Sequence, residues 1–253
     1  MKNVASDLRE REEAIICELW GKIPVKMLAE ILGLHRSTVT KRVKSLGLSI
    51  SEPKQPKHIQ LVPQLKELLD GLLLGGNALS LKRKSAFFVA TSKEPEYISW
   101  IAKQLKECGI ELEGRGIYQK HCSYVLITRS YYEFRSLYER WYSQGKKEVP
   151  PDLKLTPKIL LLWFIRGGHI EVAQKKPQRA IRFWVGRYSP CSREHLIKEL
   201  QEIGFKPALY VGRRISMIRI GPRDFSYFFD YIGPCPQDLE KTFGHKWALA
   251  LSR

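Results

Sequence analysis

Side chains that can hydrogen-bond nucleic acid are concentrated in one short segment near the beginning of the chain. The segment lies between positions 36 and 46 and contains no acidic residue. The candidates are Arg36, Ser37, Thr38, Thr40, Lys41, Arg42 and Lys44. Because arginine and hydroxyl side chains contact base edges and lysine contacts phosphates, the segment predicts a DNA-reading surface.

Three short helices would position that segment, and residues 1–48 have the pattern for them. Apolar residues recur at helical spacing in three runs, and Gly21 and Gly33 follow the first two. A small residue inside the second run, Ala29, and a glycine at the following turn are typical of a helix-turn-helix. In that motif the last helix enters the major groove. The alternative is a small helical bundle with a solvated basic face.

The charge balance agrees with a nucleic-acid partner. Lysine and arginine total 43 against 26 aspartate and glutamate, a formal net charge of +17. Such an excess attracts polyanions, nucleic acid before anionic membrane. With no apolar run of membrane-spanning length and no secretion signal, we expect a cytoplasmic protein. The five cysteines form no CxxC pair, which argues against a zinc centre or a disulfide framework.

The rest of the chain contains a duplicated unit. Two apolar runs of helical length, LLDGLLLGGN at 68–77 and LLLWFIRGGH at 160–169, are each followed by a basic turn, an apolar strand and a helix. Three matched landmarks are offset by 91, 95 and 91 residues. Gly71 and Gly75 leave one face of the first helix without side chains, so another helix can approach it closely. A nearly constant offset indicates an internal repeat.

With both apolar helices and the preface LTPKILLLW, the duplicated unit resembles a single-chain LAGLIDADG homing endonuclease. The resemblance implies an α+β fold. An all-α helix-turn-helix (1–48) and a proline-containing linker (49–63) precede two αββαββα repeats (64–153 and 154–253). In the family the two signature helices pack at a pseudo-twofold axis, and two antiparallel sheets form a saddle over duplex DNA.

The sequence departs from the family at the catalytic positions. Aligning Gly71 with the central glycine of the motif places Gly76 at the metal-binding aspartate, and aligning Trp163 in the second repeat places Gly167 there. Glycine offers no oxygen side chain to Mg²⁺. The nearby candidates to replace the carboxylates are Asp70, Asn77, His169 and Glu171. We therefore predict a chain with no catalytic residue, no metal and no cofactor.

Basic and aromatic residues on the predicted strands and turns complete the candidate DNA surface. The first repeat supplies Lys82, Arg83, Lys84, Arg115, Tyr118 and Lys120. The second supplies Lys175, Lys176, Gln178, Arg179, Arg182, Arg187, Arg213, Arg214 and Arg219. Lys82 to Lys84 and Lys175 to Gln178 fall at corresponding hairpin tips of the two repeats, which favours a shared role in contacting DNA.

These patterns predict a sequence-specific double-stranded DNA-binding protein. We expect a transcriptional regulator that binds as a monomer, because one chain contains both repeats. An alternative is an active endonuclease that uses replacement ligands and requires Mg²⁺. A third is an RNA-binding helper of intron splicing, which the helix-turn-helix disfavours because the A-form major groove is too narrow to admit a helix.

Overall fold

The structure is a computed structural model that describes residues 4–20, 23, 25–48, 55–172, 178–212 and 215–251. The chain divides into two compact units, Met1–Gln55 and Pro56–Arg253. Positions 49–54 of the predicted linker lie outside the described residues. Residues 56–62, also assigned to the linker, belong to the second unit, where Lys57 pairs with Tyr131 in an isolated parallel bridge.

The first unit is a three-helix bundle of α1 (Val4–Leu19), α2 (Val25–Leu32) and α3 (Arg36–Ser45). Ile16, Leu28, Val39 and Val43 are fully buried and form its core. The turn before α3 is fixed by His35, whose Nδ1 accepts a hydrogen bond from the Ser37 backbone N–H at 3.3 Å. This local cap sets where α3 begins.

The second unit contains two repeats with the same order of elements. The first repeat comprises α4 (Pro63–Leu74), β1 (Ala78–Lys82), β2 (Ser85–Ser92), α5 (Pro95–Glu107), β3 (Leu112–Lys120), β4 (Ser123–Thr128) and α6 (Glu133–Trp141). A short hairpin follows, β5 (Tyr142–Ser143) and β6 (Lys146–Lys147). The second comprises α7 (Pro157–Gly167), β7 (Gly168–Val172), β8 (Arg179–Trp184), α8 (Pro190–Glu202), β9 (Pro207–Val211), β10 (Ser216–Ile220), α9 (Phe225–Ile232) and α10 (Glu240–Leu251).

The two apolar helices, α4 and α7, pack directly against each other. A Cβ built on Gly71 would lie 2.5 Å from Leu162 Cδ1 and 3.1 Å from the Ile159 Cα. A Cβ on Gly75 would lie 2.9 Å from the Leu162 carbonyl oxygen. These distances are too short for a side chain, so the two glycines are what permits the close approach that the sequence predicted.

Each repeat folds its strands into one four-stranded antiparallel sheet. The strand orders are β1-β2-β4-β3 and β7-β8-β10-β9. One face of each sheet is covered by helices, with Phe88, Leu126, Phe183 and Ile218 fully buried on it. The opposite face carries Tyr118 and Lys120 of β3, Arg182 of β8 and Arg219 of β10. The predicted α+β class and the two αββαββα repeats are confirmed.

Candidate nucleic-acid interface

The end of α4 is the position where the family resemblance expects a carboxylate. The helix ends in a Schellman-type turn, in which the Gly76 N–H donates to Leu73 O at 3.0 Å and the Asn77 N–H to Leu72 O at 3.1 Å. Gly76 has φ +112° and is exposed, and a Cβ built on it would lie 3.4 Å from Arg187 Nη1. A guanidinium group therefore faces the space that a carboxylate would fill.

Arg187 is held in that place from both sides. Its Nη2 donates to the carbonyl oxygen of Leu74 at 3.1 Å, and its guanidinium carbon lies 4.9 Å from the centre of the Tyr188 ring. The Tyr188 hydroxyl donates to the same Leu74 carbonyl at 3.2 Å. Arg187 of the second repeat thus places a positive charge at the last turn of α4, where the negative end of the α4 helix dipole favours a cation.

A second cation closes the same helix end. The Lys147 ammonium donates to the carbonyl oxygens of Leu73 and Asn77. Burial, and secondarily the charge of Arg187, lower the pKa of Lys147 to about 7. The hairpin β5–β6 positions this lysine, and neither the hairpin nor the contact was predicted from the sequence.

The end of α7 has an equivalent lysine from the last helix. The Lys246 ammonium donates to the carbonyl oxygens of Phe164 at 3.1 Å, Ile165 at 2.9 Å and Gly168 at 2.7 Å. Burial, and secondarily Arg166, lower the pKa of Lys246 to about 8. Lys246 was not among the predicted site residues. Gly167 carries no carboxylate either, and a Cβ on it would lie 3.1 Å from Trp163 Cδ1.

Arg166 reaches from α7 into the first repeat. Its Nη1 donates to Ser92 Oγ at 3.3 Å and its Nη2 to Thr91 O at 3.1 Å. The guanidinium carbon lies 5.3 Å from the centre of the Tyr97 ring. Burial raises the pKa of the Tyr97 hydroxyl to about 12, so this ring is neutral beside the arginine. Arg166 was not among the predicted site residues.

Two of the four proposed replacement ligands are committed to arginines. Asp70 Oδ1 accepts from Arg140 Nη1 at 2.6 Å and from Trp141 Nε1 at 2.7 Å. Glu171 accepts from both Arg182 and Arg219. Burial alone would raise the pKa of the Glu171 carboxyl, but the hydrogen bonds from Arg219 and Arg182 hold it below its usual value. Both carboxylates are therefore engaged in ion pairs with arginines of the fold.

The other two proposed ligands also have local partners. Asn77 is buried, and its Nδ2 donates to Leu72 O at 3.0 Å and to the Tyr97 hydroxyl at 3.3 Å. His169 is exposed and lies edge-on to the Trp184 ring. Burial, and secondarily Lys246, lower the pKa of its imidazole. Across the part of the chain that the structure describes, no three His, Cys, Asp or Glu residues are grouped as a metal site.

The predicted hairpin tip of the first repeat is open to solvent. Lys82, Arg83 and Lys84 are exposed at the β1–β2 turn, where Arg83 has φ 51° and its carbonyl accepts from Arg135 Nη1. Among the last three residues of β3, Tyr118 and Lys120 are also exposed. These side chains are available for a ligand.

The predicted arginines of the second repeat differ in the contacts that they make within the fold. Arg182 and Arg219 are directly opposite each other on β8 and β10, and both bind Glu171, which fixes the two guanidinium groups side by side. Arg179 instead donates to Leu249 O, a contact within the fold. Gln178 is exposed. The remaining candidates, Lys175, Lys176, Arg213, Arg214 and the side chain of Arg115, lie outside what the structure describes.

In the three-helix unit, α3 presents most of its polar side chains to solvent. Arg36, Ser37, Lys41 and Lys44 are exposed, and Thr38 and Thr40 are half-buried. Thr40 donates to the Arg36 carbonyl at 2.9 Å. Arg42 pairs with Glu12 of α1, so its role in this unit includes holding α3 against α1.

Comparison with known proteins defines the class. The model of the LAGLIDADG DNA endonuclease family matches residues 66–228, more than half of the chain, so the chain belongs to that family. In sequence it is similar to the uncharacterized protein MJ1098 of Methanocaldococcus jannaschii, at 26% identity in an alignment of 153 residues that covers 56% of this chain and 59% of that relative.

In fold it is similar to the homing endonuclease I-WcaI bound to its DNA recognition sequence. That likeness has a TM-score of 0.62 at 20% identity and covers 79% of this chain and 96% of that one. It shows the fold alone. Within the described residues, no helix is both long enough and apolar enough to cross a membrane.

Proposed function

We propose that this chain is a sequence-specific double-stranded DNA-binding protein that acts as a transcriptional regulator and does not cut its DNA. Family membership supports a duplex DNA partner. The exposed basic face of α3 supports a second DNA-reading element on the same chain. Two repeats in one chain support binding as a monomer.

The observation that carries the loss of cleavage is the replacement of carboxylate by cation at the end of α4. Cleavage in this family needs a divalent ion held by acidic oxygens near the ends of both signature helices. Here a guanidinium faces Gly76, and lysine ammonium groups donate hydrogen bonds to the carbonyl oxygens at the ends of both helices. The permanent charge of the Arg187 guanidinium repels Mg²⁺, and no described carboxylate there is free to hold the ion.

Selection of binding sites from random duplex DNA in the presence of Mg²⁺ tests the proposal. We expect a long, intact site to be enriched, with binding that weakens as salt rises because phosphates release counterions. The variant Lys41→Ala/Lys44→Ala on α3 should weaken binding at least tenfold. Lys26→Ala, which removes an exposed lysine from α2, should change it less than twofold.

Two results would contradict the proposal. Recovery of cut DNA in Mg²⁺ would restore the endonuclease alternative. Enrichment of folded RNA over duplex DNA at equal salt would favour the RNA-binding alternative. Equal effects of the α2 and α3 variants would remove α3 from the DNA-reading surface while leaving the repeats as the DNA-binding part.

A further inference from the structure

A cavity of about 480 Å³ opens where the two signature helices end. Its lining includes the glycines that replace the family's carboxylates and two arginines from the second repeat. The glycines are Gly76 and Gly167 and the arginines are Arg166 and Arg187, and Gly75 and His169 also line the cavity. With no side chains on three of the six, ligand atoms can approach the backbone of both helix ends.

The cavity and its walls carry more positive charge than their partners neutralise. Arg166 and Arg187 line it, and Lys147 and Lys246 lie behind them at the helix ends. Among the described residues, the partners of these four cations are carbonyl and hydroxyl oxygens, and no carboxylate pairs with any of them. Burial and, secondarily, the charge of Arg187 lower the pKa of Lys147, and burial and, secondarily, the charge of Arg166 lower that of Lys246.

The guanidinium groups retain unused donors. Arg166 Nε is buried and has no hydrogen-bond partner in the described structure. Arg187 Nη1 faces the space above Gly76, while its Nη2 is held by Leu74 O. The buried Arg166 Nε is out of reach of solvent, so the donor that an anion in the cavity can meet is Arg187 Nη1, which faces the open space above Gly76.

We propose that this cavity is a phosphate-type oxyanion site in which Arg166 and Arg187 take the place of the family's metal ions. Guanidinium groups suit this chemistry because they present several donors in one plane to phosphate oxygens. The inference rests on the proposed function in one respect, since the expected occupant is a phosphodiester of bound DNA. A free phosphate or phosphate monoester offers the same oxygens and is the other source.

Thermal unfolding of the full chain tests the site without DNA. Inorganic phosphate is titrated against chloride at equal ionic strength and pH 7, with the wild type, Arg166→Gln/Arg187→Gln and the control Arg223→Gln. Arg223 is exposed and lies outside the cavity. At ten times the Kd of phosphate, we expect the wild type and the control to gain about 3–6 °C in Tm and the double variant to gain none.

The salt dependence of duplex DNA binding distinguishes the two sources. If the occupant is a DNA phosphodiester, the slope of log K against log salt should be smaller by about 1–2 in the double variant than in the control. An unchanged slope with a lost phosphate effect on Tm would identify a free phosphoanion. No phosphate-specific rise in Tm together with an unchanged slope would overturn the site, and DNA binding in that case would leave the proposed function standing.

Discussion

The closest approach between the signature helices makes Gly71→Ala the sharpest test of the fold. The new Cβ would lie 2.5 Å from Leu162 Cδ1, 3.0 Å from Leu162 Cβ and 3.1 Å from the Ile159 Cα. The methyl at Cδ1 can rotate away, but Cβ and the helix backbone cannot, so α4 and α7 must separate. Overpacking of this kind costs about 3 kcal/mol at the upper end of its usual range.

Alanine also favours the helix over glycine by about 1 kcal/mol. The net loss expected for Gly71→Ala is therefore about 2 kcal/mol in the free energy of unfolding, or about 4–8 °C in Tm. Gly244→Ala in α10 is the matched control. Its Cβ would meet only the flexible Glu240 side chain, with Cγ at 3.3 Å, so we expect a gain of up to about 1 kcal/mol.

Equilibrium unfolding in urea, followed by tryptophan fluorescence and circular dichroism, measures both variants against the wild type. The expected order of stability is Gly244→Ala, wild type, Gly71→Ala. A Gly71→Ala protein that is as stable as the wild type would refute the close packing of α4 on α7. Destabilisation by Gly244→Ala of the same size would show that the measurement does not isolate that contact.

Two further predictions concern the buried polar groups of the second unit. Asp70→Ala removes the shared acceptor of Arg140 and Trp141 and should lower the free energy of unfolding by about 3 kcal/mol. The control Asp152→Ala removes an exposed carboxylate that also binds Arg140 and should lower it by less than about 1 kcal/mol. Equal losses of the two variants in urea titrations would contradict this. Lys147 has a pKa of about 7 in the folded chain and an ordinary, higher pKa in the unfolded chain, so the unfolded chain binds more protons above pH 7. The free energy of unfolding of the wild type relative to Lys147→Met should therefore rise between pH 7 and 9, by up to about 1.4 kcal/mol per pH unit. A free-energy difference between the two proteins that does not change with pH would contradict this.

The repeat and its helix pairing were predictable because they leave local signals in the sequence. Apolar runs of helical length, with Gly71 on one face, indicate a buried interface between helices. The matched flanks of the two runs indicate the duplication. Strand positions followed from apolar segments between basic turns. These features depend on the chemistry of neighbouring residues, which the sequence displays directly.

The cations at the helix ends were not predictable in the same way. Lys147 and Lys246 look like ordinary lysines, and their contacts join residues 70 to 82 positions apart. Arg187 was predicted to contact DNA from its charge, but its hydrogen bond to Leu74 O depends on how the repeats meet. The ion pairs of Glu171 depend on strand register, which places it beside Arg182 and Arg219.

The central claim is that the chain binds duplex DNA without metal and without cutting it. Its most direct test is the Kd for one selected duplex, measured in excess EDTA and again in excess Mg²⁺ at equal ionic strength, with the DNA from each sample run on a denaturing gel. We predict the same Kd within about twofold and intact strands in both samples. Strand cleavage that appears with Mg²⁺ and is absent in EDTA would contradict the account.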